Sequence, residues 1–562
     1  MTIIFDEDKQ NQKLRQMRLE EEERLMKMLS QKYDIPYIDL TSVSINTDAL
    51  RLLDEEDARK GECAVFDIIG KKVSLALNNP NNTHIESLVD DLKRKGYTIV
   101  FYISSMVGIS KAWALYKDLS FAVETEAGAL DISDNEIQDI VEKTKSLGDV
   151  QQLIALALEE KKSHKLSKLL ATLMAGSLAT KASDIHIEAE ESFSRLRYRL
   201  DGVLVEVTKF DLETYHSILS RVKLLSGLKL NIKDNAQDGR FTIKIYTNDI
   251  EIRTSTIPGA YGESIVMRIL NPQSIASSLE ELGMPKKLYE LTLREIARPN
   301  GMILVTGPTG SGKTTTLYAF LKKTMSPDFK IITIEDPIEY HIPGIVQTQV
   351  EDSKGYTFDA GLRSVVRQDP DIILVGEIRD TETALTAINA ALTGHLVFST
   401  LHTNNAAGTF TRLIDLGVDS KVITSAVHLA LAQRLVRKLC PICKKLSPVD
   451  TRYKKIANDT LTSLSGFDEE KLFTSIPEQT YTAIGCSSCN GTGYQGRIGV
   501  YEGILADAAI EDTVRMNPSE REIRQASLSQ KIMTMKQDGV LKVLQGVTTF
   551  EELERVIDLF EE

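Results

Sequence analysis

The carboxyl-terminal half of the chain carries short, wholly apolar runs, each followed by polar residues and then a helix-like stretch. Met302 to Thr306, Ile331 to Ile334, Ile372 to Val375 and Leu396 to Phe398 are the clearest. Unbroken apolar runs suit strands covered on both faces, so this half predicts a parallel sheet between helices. Upstream the pattern changes to alternation. Ile185 and Ile187 alternate with Asp184, His186 and Glu188, and Leu196, Tyr198 and Leu200 with Arg195, Arg197 and Arg199. Asp201-Gly202 before Val203 to Val207 predicts a tight hairpin, because this pair supplies the positive φ the turn needs. A second hairpin is expected from Phe241–Tyr246 to Ile250–Thr254 through Thr247 to Asp249. Further upstream, Val73 to Leu77 and Ile99 to Ile103 read as strands, with a helix over Ile85 to Leu92 and a turn at Asn78 to Asn82. Residues 6–30 form a charged helix with a weak apolar stripe at Leu14, Met17, Leu25, Met28 and Leu29, either mostly solvated or binding a partner.

These patterns divide the chain into a small α/β domain (1–125), a polar linker with one helix (126–152), a mixed α/β domain (153–275) and an α/β domain (285–562). A joint lies over Pro272 to Pro285. A length of 562 residues supports several cores. Lys plus Arg number 67 against 80 for Asp plus Glu, a net charge of -13, which disfavours non-specific nucleic-acid binding. No apolar run reaches the ~18–20 residues of a membrane span, and no secretory signal is visible. The expectation is a cytoplasmic protein.

Gly307-Pro308-Thr309-Gly310-Ser311-Gly312-Lys313-Thr314 matches G-x-x-x-x-G-K-[ST] in full, between an expected strand and a helix continuing through Thr315 to Leu321. Such glycines let backbone N–H groups face phosphates, the lysine reaches the β and γ phosphates, and the threonine hydroxyl holds Mg²⁺. Three further strands run into Glu335, Asp336 and Glu339, into Gly376, Glu377 and Arg379, and into Ser399, Thr400 and His402. Ligands bind beyond the carboxyl ends of parallel strands, so these residues are candidates to surround one Mg-nucleotide. Either glutamate alone reads equally as a helix cap or surface ion pair, and a structural role for His395 or His402 stays open.

Five cysteines occur, four of them in Cys440-Pro-Ile-Cys443 and Cys486-Ser-Ser-Cys489, 42 residues apart. Two such knuckles complete a closed Cys₄ zinc site of structural kind, with tight turns expected at Gly485, Gly491, Gly493, Gly496 and Gly499. A redox pair, or thiols without metal, is the alternative. Cys63 reads as a small buried residue.

Four blocks stand in order: GPTGSGKT at Gly307–Thr314, TIEDPIEY at Thr333–Tyr340, ILVGEIRD at Ile373–Asp380 and GHLVFSTLHTNNA at Gly394–Ala406. Together they resemble the type II/type IV secretion-superfamily ATPases, most closely the pilus-assembly (extension), PilB-like branch. The resemblance implies a RecA-like P-loop NTPase core, a preceding PAS-like α/β domain, a small amino-terminal α/β domain and an inserted tetracysteine zinc subdomain (436–500). It implies a homo-hexameric Mg-dependent ATPase at the cytoplasmic face of the inner membrane. ATP hydrolysis would drive pilin polymerisation through an inner-membrane platform protein, with no direct nucleic-acid contact and no membrane contact except through that partner. By position, Glu335 matches the water-activating glutamate, Glu377 the magnesium-organising one, and His402 the histidine-box residue, with His395 its companion. Arg253 and Arg268 match arginines brought onto the nucleotide, and Arg363 and Arg367 a pair reaching across a subunit interface. Read without the family, each arginine is a charge on a solvated face. In the Walker B block Gly376 stands where many P-loop proteins have aspartate. The tetracysteine subdomain favours assembly over retraction. The alternatives are a type II secretion ATPase, a DNA-uptake pseudopilus motor, a non-hydrolysing nucleotide-dependent scaffold and a nucleic-acid motor. The repeated Arg-Leu-Gly motif of relatives that bind a cyclic dinucleotide is not seen, since Arg18-Leu19 is followed by Glu20.

Overall fold

The computed structural model describes residues 21–43, 45–50, 52–69, 71–94, 96–116, 134–159, 162–245, 248–271, 278–467 and 476–560. It divides into two units, Met1–Glu126 and Ala127–Glu562. In the first unit residues 21–33 are helical. The earlier part of the expected stripe, with Leu14 and Met17, and the Arg18-Leu19 pair lie outside the described residues. The buried position of this helix lies off the stripe. Met26 is the buried position at 5% exposure, while Leu25 and Met28 are 49% and 55% exposed. Carboxylates secure this helix: Glu22 accepts from the Met106 amide (2.7 Å) and Glu23 from the Tyr37 hydroxyl. A three-stranded sheet follows, in which β1 (Cys63–Ile69) pairs antiparallel with β2 (Lys72–Leu77), and β2 pairs parallel with β3 (Thr98–Ile103). The crossover helix His84–Arg94 supplies the connection that parallel pairing requires. Cys63 is fully buried, which pushes its thiol up to about 12, and its carbonyl accepts from the Trp113 indole (2.9 Å).

The second unit opens with helices Asp134–Lys143, Leu147–Glu159 and Lys162–Ala179. Residues 126–133 of the expected linker lie outside the described residues. Its later part joins the core, because Ile137, Leu147, Val150 and Ile154 fall at helical spacings and are buried. An antiparallel sheet of six strands follows. They are β4 (Asp184–Ala189), β5 (Ser194–Leu200), β6 (Val203–Phe210), β7 (Gln237–Ile245), β8 (Asn248–Ile257) and β9 (Ser264–Leu270), in the order β6-β5-β4-β9-β8-β7. The Asp-Gly turn forms as expected, with φ of 48° at Asp201 and 86° at Gly202. The second hairpin turns earlier than read: Asn248 and Asp249 already pair with Ile245 and Lys244, and Thr247 lies outside the described residues. Strand β4 departs from polar-out alternation. It is a central strand covered on both faces, so Asp184 and His186 are only 3% and 9% exposed.

The carboxyl-terminal sheet has seven strands in the order β12-β11-β13-β14-β10-β15-β18. Their ranges are β10 Gly301–Thr306, β11 Ile331–Glu335, β12 Val346–Gln349, β13 Ile372–Val375, β14 Leu396–Leu401 and β15 Val427–Leu439. A small hairpin, β16 (Lys445–Pro448) with β17 (Gln479–Thr482), precedes β18 (Tyr494–Leu505). Strands β10 to β15 are parallel, and β18 runs antiparallel to β15. Met302 and Leu304 join the core on one face, Ile303 and Val305 that on the other, which explains the unbroken apolar runs. Among the described residues of Pro272–Pro285, residues 278–285, the stretch Leu279–Leu282 is a 3₁₀ turn; residues 272–277 lie outside the description. Among the described residues no helix is long and apolar enough to cross a membrane.

Gly202 has no atom within 4 Å of an added Cβ, so a side chain there meets only backbone strain. Gly202→Val is expected to cost about 1–2 kcal/mol, read as an earlier denaturant midpoint. An unchanged midpoint would contradict the turn.

Candidate active site

The glycine loop leaves β10 and curls onto the start of helix Lys313–Thr324. Gly307, Gly310 and Gly312 have φ of 147°, 79° and 91°, which other residues resist. Space also restricts Gly307, where a Cβ would sit 2.6 Å from both the Gln433 carbonyl oxygen and Ser311 Oγ. Lys313 Nζ donates to the carbonyls of Gly307 (2.8 Å) and Pro308 (3.1 Å). Burial holds its ammonium below the ordinary lysine range, with Glu377 pulling the other way. Ser311 Oγ is buried with no hydrogen-bond partner among the described residues. A partly desolvated lysine, an unused hydroxyl and a helix start in one loop fit an incoming triphosphate.

Parallel pairing brings the ends of β11, β13 and β14 to the same edge. A cleft of about 1200 Å³ is lined there by Lys313, Thr314, Glu335, Glu377, Arg268 and His402, among others. Glu335 closes β11 at 3% exposure. Its Oε1 accepts from Thr333 Oγ1 (2.5 Å) and Gln347 Nε2 (3.1 Å), and its Oε2 from the Tyr318 hydroxyl. Glu377 receives the Arg379 guanidinium on Oε1 and His402 Nε2 on Oε2 (3.2 Å). Glycine at 376 has a packing reason, since a Cβ would lie 3.2 Å from the Ile334 carbonyl oxygen and 3.4 Å from Glu335 Cα. His395 is a correction. It precedes β14, and its Nδ1 donates to the Ala390 carbonyl (2.9 Å). That is the opposite sheet edge, roughly 20 Å from His402 at strand rise.

The middle sheet supplies arginines. Arg268 Nε is 3.0 Å from Asp184 Oδ1, and Arg199 Nε is 3.2 Å from Oδ2 of the same buried carboxylate. Arg253 donates to the Ile338 carbonyl (2.7 Å) and faces Glu339 at 3.9 Å, which ties this sheet to the loop after β11. Burial raises the Glu339 carboxyl above its usual range, opposed by Arg253 and Arg268. Arg363 and Arg367 are not brought to this cleft. Arg363 pairs with Asp359 (2.9 Å) on an exposed helix face, and Arg367 donates to Ser364 Oγ (3.2 Å).

The four cysteines converge. Cys440 follows β15, and Cys486 and Cys489 precede β18. Their sulfurs all lie within 4.8 Å of one another, with Cys440–Cys486 at 3.9 Å, Cys443–Cys489 at 3.8 Å and Cys486–Cys489 at 3.7 Å. Tetrahedral coordination with metal–sulfur bonds of about 2.3 Å places sulfurs about 3.8 Å apart, so the geometry fits one ion. Backbone amides of Cys486 (3.1 Å) and Gly493 (3.2 Å) donate to Cys489 Sγ. The long insert holds the β16–β17 hairpin and helix Thr451–Ser463; residues 468–475 lie outside the description. Gly499 serves no knuckle. It lies in β18, where a Cβ would strike the Tyr501 ring.

Sequence reasoning missed several residues. Gln433 is 1% exposed on β15, donating to the Ser311 carbonyl (2.7 Å) and accepting from Thr316 Oγ1 (2.8 Å). Its signal was a polar residue inside the apolar run Leu429 to Val436. Tyr318 and Gln347 support Glu335, and Asp184 supports Arg268; these partners are distant in sequence and left no local signal.

Gln433→Ala removes both loop contacts and leaves the Ser311 carbonyl unpaired. Nucleotide affinity is expected to fall about tenfold by equilibrium titration. Unaltered affinity would show that the loop holds its shape without this clamp.

The type II/IV secretion system protein family matches residues 159–555, and the MshEN domain matches residues 33–120. The type IV pilus assembly ATPase PilB of Myxococcus xanthus (strain DK1622) is 36% identical over 540 residues, 95% of this chain and 91% of that protein. The type II secretion system ATPase E of Vibrio cholerae is 42% identical over 399 residues, 71% of this chain and 76% of that protein. The solved pilus retraction motor PilT with bound ADP is 27% identical with a TM-score of 0.46, covering 68% of this chain and 96% of that one. The chain belongs to the type II/IV secretion system protein family and is one of its P-loop ATPases.

Proposed function

We propose that this chain is the motor of type IV pilus assembly. It acts as a ring of six copies at the cytoplasmic face of the inner membrane, where ATP hydrolysis displaces a platform protein and adds pilin subunits. The supporting observation is similarity to the M. xanthus PilB over 95% of the chain, amino-terminal domain included. Membrane contact runs through the platform protein, and nucleic acid has no part. A type II secretion motor is the second reading, favoured by the higher identity, 42%, to the V. cholerae ATPase over a shorter span.

In this reading Lys313 exchanges the Gly307 and Pro308 carbonyls for β and γ phosphate oxygens, recovering interaction lost through its burial. The amides of Gly310, Ser311, Gly312, Thr314 and Thr315 face the phosphates, and Pro308 and Thr309 shape the turn. Thr314 Oγ1 and, through water, Glu377 would hold Mg²⁺, which neutralises charge between the phosphates. Glu335 accepts the proton of the attacking water, giving ADP and phosphate. His402, beside Glu377, faces the γ-phosphate. Arg268 and Arg253 bring positive charge from the middle sheet, and Arg363 and Arg367 serve a neighbouring copy from their exposed helix. A caged Glu335 and a doubly paired Glu377 would be superfluous in a non-hydrolysing scaffold. Zinc in the Cys440, Cys443, Cys486 and Cys489 cluster is structural, because four thiolates leave no open position.

Lys313→Ala should reduce purified ATP turnover by about 10²-fold or more with little change in thermal stability. The same substitution in cells should remove surface pili while type II secretion continues. Loss of secretion with pili intact would transfer the motor to that system, and normal turnover would refute the nucleotide site. Elemental analysis should find one zinc per chain, and Cys443→Ser should abolish it. Metal-free protein that keeps its stability would refute the zinc assignment.

A further inference from the structure

We propose that Tyr318 is a positioning residue that fixes the plane of the Glu335 carboxylate for proton abstraction. This inference rests on the reading of Glu335 as the water-activating base. The terminal torsion of a glutamate is soft and roughly two-fold, so hydrogen bonds to one oxygen alone leave the carboxylate plane free to turn. Thr333 and Gln347 both bond Oε1. Among the hydrogen bonds of the described residues, the Tyr318 hydroxyl alone reaches Oε2.

Tyr318 is well placed for that task. It is 1% exposed, and its ring meets Tyr340 edge-to-face at 4.7 Å between centroids, which holds the hydroxyl in place. Burial, with Glu335 adjacent, raises its phenol far above the ordinary range, so it remains a protonated donor. It lies four residues after Thr314 on helix Lys313–Thr324, and positions i and i+4 share a helix face. The helix therefore carries the hydroxyl assigned to Mg²⁺ and the hydroxyl that aims the base one turn apart. A base must face the attacking water within hydrogen-bond reach and with correct orientation, and small misplacements cost large factors in rate.

The test compares full-length wild type with Tyr318→Phe, Gln347→Leu and Glu335→Gln. Steady-state ATP turnover and titration with a fluorescent ATP analogue are measured. Tyr318→Phe keeps the ring and loses the hydroxyl. Its kcat is expected to fall about tenfold, with KM and analogue affinity within about twofold. Gln347→Leu leaves Oε1 bonded to Thr333 and should keep more than about half of kcat. Equal losses in Tyr318→Phe and Gln347→Leu would overturn the distinct role of Oε2. A fall in analogue affinity that matches the fall in rate would reduce Tyr318 to a structural residue. If Glu335→Gln abolishes turnover while Tyr318→Phe leaves kcat intact, this inference fails and the base assignment stands. If Glu335→Gln turns over normally, the base assignment itself fails.

Discussion

Shared strand direction is the constraint on which the site depends. Strands β10, β11, β13 and β14 run parallel, so the chain leaves each at the same edge of the sheet. There the buried apolar register ends and polar residues can be solvated or bind a ligand. The glycine loop, Glu335, Glu377 and His402 meet because each follows a strand directly. His395 shows the rule from the other side. It belongs to the same sequence block as His402 but precedes its strand, so it is far from the chemistry.

Charge at this edge is balanced without being neutralised locally. Lys313 rests on carbonyls and not on a carboxylate, so no ion pair must break before phosphate can take it. Glu377 is occupied on both oxygens, by Arg379 and His402, and Glu335 by neutral donors. Arg268 is instead shared with a buried aspartate that also holds Arg199. The middle sheet can therefore present Arg268 at a defined place, since Asp184 is anchored within a central strand. Arg253 links the same sheet to the Ile338 carbonyl, so relative movement of the sheet and the loop after β11 would change the charge around Glu339 and the cleft together.

Much of this was legible in the chain, for definite physical reasons. A parallel strand buried on both faces must be apolar throughout, a phosphate loop must place glycine where φ is positive, and two C-x-x-C knuckles can close on one ion. Each requirement is local. The Asp-Gly turn was legible on the same basis, because two adjacent residues determine it. What could not be read depends on tertiary neighbours. Tyr318 and Gln347 come to Glu335 from two other segments, and no spacing rule links them; only Thr333, two residues earlier on the same strand, stands at a readable spacing. Alternation along β4 separates its two faces without revealing what covers each, so the burial of Asp184 and His186 was not readable. In the helix over residues 21–33, Met26 and two glutamates, none of them on the weak apolar stripe, make the contacts.

One strand joins the two parts that sequence treated separately. Gln433 on β15 clamps the phosphate loop through Ser311 and Thr316, and Arg434 donates to the Asn404 carbonyl (2.9 Å) after the histidine. Seven residues beyond Gln433 the same strand delivers Cys440 to the sulfur cluster, while its antiparallel partner β18 begins just after Cys489. An ion held by the four sulfurs would restrain the ends of both strands, much as a cross-link would. Residues beside the cluster also reach upstream: the Asn490 side chain accepts from the amide of Leu147, at the start of helix Leu147–Glu159 (2.7 Å), and Asp201 in the β5–β6 turn accepts from the Gly496 amide (2.8 Å). The cysteine segment is thus continuous with the strand that clamps the nucleotide loop and bonded to the β5–β6 turn of the sheet that carries the arginines. Locked by an ion, such a segment would pass displacement between them; unlocked, it would absorb it.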